Sequence, residues 1–375
     1  MKIALIGTTA SCVIGFRADL IRSLVVRGHD VFAFALDYTE VTRKIVEEIG
    51  ARPVSYVFSR TGLNPLSDII NTYKLYRLVK NNRFDIVFSY FSKPAIFGTL
   101  AAAFARVPLR VAMLEGLGFV FTDQPSGLKI TTKILRNIQV LLYRMAFPLL
   151  HQIIFLNPDD SRDLLDAYSV KVKRVNILGA IGLDLADYKY SSPDVSCVSF
   201  ILVGRLLAEK GVNEYIAAAK VVKQSYPSAC FYLLGGLDEG NPGALSKSDL
   251  DKLIEEDVIV FPGYVADVRS WLRRASVFVL PSYREGLPRS TQEAMAIGRP
   301  VITTDVPGCR ETVVDGVNGF LVPKWNVDAL VGKMIYFIEN PEAVEMMGLE
   351  SHKMAVDKFD AEKANYRLMN IMGLI

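Results

Sequence analysis

Four cysteines, three histidines and two tryptophans are all that the 375 residues hold of these types. The cysteines, Cys12, Cys197, Cys230 and Cys309, form no CxxC pair and share no regular spacing. That pattern disfavours a zinc ribbon or a disulfide-stapled scaffold and fits a reducing compartment. The histidines fall at a strand start (His29), before a strand (His151) and in a terminal helix (His352), where all three are expected to be structural. No secretory signal is expected, because "MKIALIGTT" runs straight into a strand-like stretch without a small-residue cleavage site. The longest apolar run, "AIFGTLAAAFA", is cut by Arg106 well short of the roughly 20 residues a bilayer crossing needs. Low-complexity segments and short-period repeats are missing as well. The one DxD string, Asp249-Leu250-Asp251, lies in the polar helical pattern "LSKSDLDKLIEED", which reads as a solvated face and not as a metal site.

What is present is size, alternation and an uneven charge. A chain of this length fits two domains. Short apolar, β-branched runs alternate with helix-length amphipathic ones, as in parallel sheets flanked by helices. In the first half the strand candidates are "KIALIG", "DVFAFAL", "RPVSYVF", "FDIVFSY", "LRVAML" and "QIIFLN". The second half offers "VSFILVG", "CFYLLGG", "VIVFPG", "VFVLPS", "PVITTD" and "GFLVP". Between the halves "GLDLADYKYSSPDVS" is polar and turn-rich, the best linker available. The expectation is α/β: two doubly wound, Rossmann-like parallel-sheet domains over residues 1–188 and 189–359, with ligands bound beyond the carboxyl ends of the strands.

Residues 1–190 carry 24 Lys and Arg against 16 Asp and Glu, so the net charge of +3 is made of a basic first half and an acidic remainder. This excess comes without interleaved aromatics, which favours an anionic small molecule or lipid headgroup as partner and not nucleic acid. Solvated surface charge explains the same count. One segment, "LKITTKILRNIQVLLYRMAFPLL" from Leu128 to Leu150, is amphipathic and interrupted by Lys129, Lys133, Arg136 and Arg144. It reads either as a helix lying on an anionic membrane surface or as an ordinary helix packed on the sheet.

The chemistry concentrates in the second half. In "VGRLLAEKGVNEYI" Gly204 ends a strand, and Arg205 and Lys210 flank the turn into a helix, a setting suited to a diphosphate. Later, "PSYREGLPRSTQEAMAIGRPVITTD" turns through Glu285-Gly286-Leu287-Pro288 and enters a helix whose start holds Ser290 and Thr291 and whose stop is Gly298. Amides at that helix start would donate to phosphate or sugar oxygens. Glu293 fits simple pairing with the helix dipole, an explanation that serves Glu285 poorly. Two carboxylates beside a phosphate-binding helix suit the hydroxyls of a nucleotide sugar.

With "GRLLAEKG" upstream and "DGVNGFLV" downstream, "EGLPRSTQEAMAIGRPVITTDVPGCRETV" resembles the E-x7-E signature of the family 4 retaining glycosyltransferases, which have the GT-B fold of two Rossmann-like domains facing a cleft. The resemblance implies that Arg205 and Lys210 bind the donor diphosphate, that Glu285 positions the donor sugar and that Glu293 holds the ribose. It places Gly263, Tyr264 and Val265 of "FPGYV" near the base, and it sends the last helix, 360–375, back to the first domain. The runs "GFRADLIRSLVVRGHDV", "SRTGLNPLSDI", "FSKPAIFGTLAA" and "AMLEGLGFVFTD" are similar to the subgroup that extends polyprenyl-diphosphate-linked saccharides in bacterial glycan assembly. That implies a UDP-sugar donor of a hexose or N-acetylhexosamine, N-acetylgalactosamine as first choice, and acceptor contacts at Gly15, Arg17, Glu115 and Gly116. Where many members carry a histidine, this chain has Glu115-Gly116-Leu117-Gly118. Glu115 would accept from the acceptor hydroxyl or satisfy buried backbone amides. No cofactor and no metal are expected, and the enzyme would work on the cytoplasmic face of the membrane. Two other readings stay open: a non-catalytic nucleotide-sugar sensor, and a nicotinamide-dependent oxidoreductase, weakened because no GxGxxG follows either first strand.

Overall fold

Segments of alternating character form strands that share a sheet and helices that cover it. A computed structural model describes residues 1–59, 64–238 and 243–375. These residues fold as two compact units. One comprises Met1–Val120, Lys129–Ile181 and Ala361–Ile375; the other comprises Phe121–Leu128 and Gly182–Asp360. Residues 60–63, within "SRTGLNPLSDI", lie outside the described residues.

The first unit runs β1 (Lys2–Ile6), α1 (Ala10–Val26), β2 (Asp30–Ala35), α2 (Glu40–Glu48), β3 (Arg52–Ser55), α3 (Pro65–Asn82), β4 (Ile86–Tyr90), α4 (Thr99–Phe104), β5 (Leu109–Leu114), α5 (Ile130–Ala146), β6 (Gln152–Phe155), α6 (Pro158–Ser161) and β7 (Val175–Ile177). Its strands are parallel, in the order β3-β2-β1-β4-β5-β6-β7. Leu5 of β1 is in register with Ala33 on one side and Phe88 on the other, and all three are fully buried. Such strands read as continuous apolar runs because both faces are covered. Helix starts follow local chemistry: Thr9 caps α1, Thr39 forms a capping box on α2, and Asn64 caps α3 with Pro65 in its first turn.

The second unit contains β8 (Ser199–Val203), α7 (Val212–Ser225), β9 (Cys230–Leu234), α8 (Lys247–Glu255), β10 (Val260–Gly263), α9 (Val268–Arg274), β11 (Val277–Leu280), α10 (Arg289–Ile297), β12 (Val301–Thr304), β13 (Gly319–Val322), α11 (Val327–Glu339) and α12 (Pro341–Lys358). Its parallel strands lie in the order β10-β9-β8-β11-β12-β13. The last helix, α13 (Ala361–Ile371), packs against α1 of the first unit, where Gln152 Nε2 donates to Ile371 O at 2.6 Å. In each sheet the strand order reverses beside the first strand, between β1 and β4 and between β8 and β11. Crevices at the carboxyl ends of such pairs are where open α/β sheets bind ligands.

Three features go beyond the sequence reading. Strand β7 is three residues long, with Val175 and Ile177 each 44% exposed, too short and too wet to announce itself as an apolar run. The segment from Gly182 is no free linker: Arg299, fully buried, donates from Nη2 to Ser191 O (2.9 Å) and Oγ (2.6 Å), and Tyr190 packs beside His352. Helix α5 forms over the basic amphipathic stretch, but its apolar stripe Ile130, Ile134, Ile138, Leu141 and Met145 faces solvent. Among the described residues no helix is long and apolar enough to cross a membrane.

Candidate active site

The second unit gathers its polar side chains where β8 and β11 end side by side. After β8 the chain passes Gly204 and Arg205, buries Leu206 and Leu207, makes one tight turn over Ala208–Lys210 and enters α7 through Gly211. Gly211 has φ 72°, and a Cβ there would stand 2.1 Å from Pro281 O, so only glycine lets this loop close against the one after β11. The Tyr283 N–H donates to Glu209 O at 2.9 Å and ties the two loops together. Lys210 Nζ thereby meets Glu285 Oε1 at 2.5 Å, and Ser282 Oγ donates to the same oxygen at 2.7 Å. From below, Gly308, at φ 78°, lets the next turn approach so closely that a Cβ would lie 2.2 Å from Glu285 O. Beneath this loop burial pushes the Cys309 thiol up to about 12, helped by the nearby Glu285 carboxylate.

The remaining sequence-derived residues are distributed along the same carboxyl edge. Arg205 is exposed and stands 3.8 Å from Asp238 in the segment after β9, so it does not join the Lys210–Glu285 contact. Glu293 lies one turn inside α10, where its Oε1 accepts from Arg289 Nε at 3.1 Å and from Tyr188 OH at 3.0 Å. Burial, and then the Glu293 carboxylate, push the Tyr188 hydroxyl up to about 12. Gly286 and Leu287 complete the turn, and Pro288 precedes α10 without a side-chain cap. Ser290 is half-buried there, and Thr291 is fully buried with its hydroxyl unpartnered. Gly263 (φ 80°), exposed Tyr264 and half-buried Val265 close the edge strand β10, two strands away from β8. Asp249 and Asp251 sit on α8, where Asp249 shares a hydrogen bond with Ser246 at 2.6 Å.

The first unit has a second polar centre at the corresponding edge. Arg17, on α1 and 2% exposed, makes an ion pair with Glu115, which follows β5. The Arg17 guanidinium lies 4.5 Å above the Tyr90 ring, and its Nη1 donates to Phe16 O at 3.0 Å. Burial holds the Tyr90 hydroxyl well above its ordinary range. Gly116 follows at φ 141°, and Gly15 is exposed with open space around it. Glu115 is thus an ion-pair partner of a buried cation, a role the sequence reading did not foresee. His352 Nδ1 lies 2.7 Å from Ala296 O, within the packing of α12 on α10.

Sequence reasoning passed over Ser282, Arg289 and Tyr188. Arg289 had a signal, since it stands four residues before Glu293 on a helix. Ser282 had a weaker one in its three-residue spacing from Glu285.

Two family models match the chain: "Glycosyltransferase Family 4" over residues 18–179 and "Glycosyl transferases group 1" over residues 198–354. The chain belongs to the family 4 glycosyltransferases. It is 29% identical, over 91% of its length and 90% of the relative's, to the N,N'-diacetylbacillosaminyl-diphospho-undecaprenol alpha-1,3-N-acetylgalactosaminyltransferase of Campylobacter jejuni. It is 25% identical to the UDP-Gal:alpha-D-GlcNAc-diphosphoundecaprenol alpha-1,3-galactosyltransferase of Escherichia coli, over 80% of this chain and 77% of that protein. Among solved structures, Anabaena Alr3699/HepE in complex with UDP and glucose aligns over both whole chains with a TM-score of 0.75 at 18% identity. Sucrose-phosphate synthase from Thermosynechococcus elongatus aligns over 99% of this chain and 98% of its own with a TM-score of 0.76 at 17% identity. The fold of this glycosyltransferase is GT-B, built of two Rossmann-like parallel-sheet units. Family membership favours a catalytic glycosyltransferase over both a nicotinamide enzyme and a non-catalytic sensor.

Proposed function

We propose that this glycosyltransferase moves a hexose or N-acetylhexosamine, N-acetylgalactosamine as first candidate, from its UDP derivative to a polyprenyl-diphosphate-linked saccharide, with retention and without a metal ion. The observation that carries this is the Lys210–Glu285 contact at the β8/β11 switch point, with Arg205 exposed on the same edge. Neighbouring strands are spaced by roughly 5 Å, so β10 to β11 spans about 15 Å, a fit for base, diphosphate and sugar laid in sequence. In this pose Gly263, Tyr264 and Val265 meet the base and Glu293 the ribose. Arg205, Lys210 and the amides opening α10 around Ser290 and Thr291 meet the diphosphate, and Glu285 with the Gly286-Leu287-Pro288 turn meets the sugar.

In the step itself the bond from C1 to the phosphate oxygen breaks, and the acceptor hydroxyl oxygen bonds C1 on the same face. The hydroxyl proton passes to the departing phosphate oxygen, while Arg205 and Lys210 stabilise the charge on UDP. Ser282 and Lys210 aim the Glu285 carboxylate at the sugar. Metal-free operation is supported by these cations and by the placement of the DxD carboxylates on α8. The acceptor subsite comprises Gly15, Arg17, Glu115 and Gly116, with Arg17 holding Glu115 in place as a hydrogen-bond acceptor. Peripheral attachment to the inner membrane surface is supported by the outward apolar stripe of α5 among Lys129, Lys133, Arg136 and Arg144.

The deciding experiment offers a panel of UDP-sugars with and without a short polyprenyl-diphosphate saccharide, follows UDP release, and reads the anomeric configuration of the product by NMR in the presence and absence of EDTA. Product of inverted configuration, abolition by EDTA, or turnover only with water-soluble glycans would overturn the proposal.

A further inference from the structure

An apolar groove of about 720 Å³ opens on the first unit between α3, α4 and α5. Ligand sites for small molecules occupy the same size range, about 300–1,000 Å³. Ile69 and Tyr73 of α3, Leu100 of α4, Phe97 of the wider helical turn before it, and Ile138 and Met145 of α5 line the groove. On α3 the stripe Leu66, Ile69, Ile70 and Tyr73 is exposed at helical spacing, as is the stripe on α5. Two helices therefore turn their apolar faces outward and toward each other, contrary to what surface helices of a globular domain do.

The exposed charges on the two flanking helices α3 and α5 have one sign, while the carboxylate Asp68 lines the groove itself. Lys74, Arg77 and Lys80 of α3 and Lys133 of α5 are exposed. Along both helices the sole acid is Asp68, buried and 3.7 Å from Lys93. An apolar trough rimmed by cations fits an amphiphile with an anionic head. Both α3 and the turn carrying Phe97 begin at the carboxyl edge of the sheet, the edge that also holds Arg17 and Glu115.

We infer that this groove binds the isoprenoid chain of the acceptor lipid, leaving its diphosphate near Lys133 in the first turn of α5 and its saccharide directed toward Glu115. The inference rests on the reading of the acceptor as lipid-linked. It adds to that reading a chain-binding subsite, so the lipid is a recognised part of the substrate and not only a membrane anchor.

The test titrates the full-length protein calorimetrically with farnesyl diphosphate and, separately, with inorganic diphosphate. It compares wild type with the triple variant Ile69→Ser/Ile138→Ser/Met145→Ser and with Leu100→Trp, which fills the groove. The three serine positions are exposed, and thermal unfolding verifies that each variant is folded. Expected are binding of farnesyl diphosphate by wild type, at least tenfold weaker binding by both variants, and no comparable affinity for inorganic diphosphate. Affinity within twofold of wild type in the folded triple variant, or equal affinity for inorganic diphosphate, overturns the inference. So does loss of flotation with phosphatidylglycerol vesicles in the triple variant while farnesyl diphosphate binding persists, because the occupant is then the bilayer. Failure of sugar transfer to every lipid-linked acceptor, with groove-dependent farnesyl diphosphate binding intact, would instead sink the proposed function alone.

Discussion

Replacing Lys210 with alanine separates the two jobs assigned to this cation. In the folded enzyme Lys210 and Glu285 are 22% and 11% exposed and 2.5 Å apart. Breaking a fully buried pair costs about 3–5 kcal/mol, and exposed pairs contribute about 0–1 kcal/mol, so this half-buried contact lies at about 1–2 kcal/mol. For a unit of this size that lowers Tm by about 2–8 °C. The catalytic loss is of another order, because a preorganised charge facing the leaving diphosphate contributes about 10²–10³ in kcat. The double variant Lys210→Ala/Glu285→Gln, which leaves no lone carboxylate, is expected to recover most of the lost Tm and none of the lost kcat. The assays are scanning calorimetry and initial rates of UDP release with saturating acceptor. If Lys210→Ala turns over within threefold of wild type, Lys210 does not serve the leaving group; if Tm and kcat recover together in the double variant, its role is structural alone.

Other perturbations test separate parts of the molecule. Gly211→Ala forces a side chain into a left-handed residue and against Pro281 O, and is expected to cost at least about 1–2 kcal/mol of stability and to weaken UDP binding, read by calorimetry. Glu115→Gln leaves the buried Arg17 without its countercharge and is expected to destabilise the first unit by about 3–5 kcal/mol in urea titration, with Arg17→Met/Glu115→Leu regaining most of it. Cys309 titrates normally near 9.0 when unfolded and near 12 when folded. The folded chain therefore keeps a proton that the unfolded chain loses, so this residue's contribution to stability is whole below about pH 9 and declines up to about pH 12. Urea midpoints of wild type and Cys309→Ala should converge over that window. Tyr188→Phe removes one donor to Glu293 and is expected to raise the Kd for UDP several-fold while leaving Tm within a few degrees.

The central strands were legible because they are covered on both faces. Burial on two sides demands uninterrupted apolar residues, and among the described residues twelve of the thirteen strands fall within the runs named from the sequence. The exception, β7, is a three-residue edge strand preceded by Lys171, Lys173 and Arg174, whereas the partly exposed edge strands β3 and β10 adjoin apolar residues that lengthen their runs. Helix α5 shows the opposite case. Its amphipathic pattern was plain, but periodicity reports only that two faces differ, and the packed face here is Thr132, Val140, Tyr143 and Ala146. Nothing in a moment distinguishes an apolar stripe turned inward from one turned outward; the neighbours decide it.

At the site, spacing carried the chemistry as far as the backbone and no further. Eight positions separate Glu285 from Glu293, and a helix would place them a little over two turns apart, about 80° around its axis. The chain instead spends the first three on a Gly-Leu-Pro turn and starts α10 at Arg289, so one carboxylate is held by loop packing and the other by helix geometry. What each carboxylate meets is then set from elsewhere. Lys210 reaches Glu285 across 75 residues because β8 and β11 are neighbours, and Tyr188 reaches Glu293 across 105 because Arg299 anchors Ser191 beside α10. Both long-range contacts depend on strand order and on buried anchors, quantities that a linear motif does not encode. The glycines are where sequence and tertiary structure meet: Gly211 and Gly308 bear no chemistry of their own, yet each admits a backbone approach that brings a neighbouring loop onto Glu285.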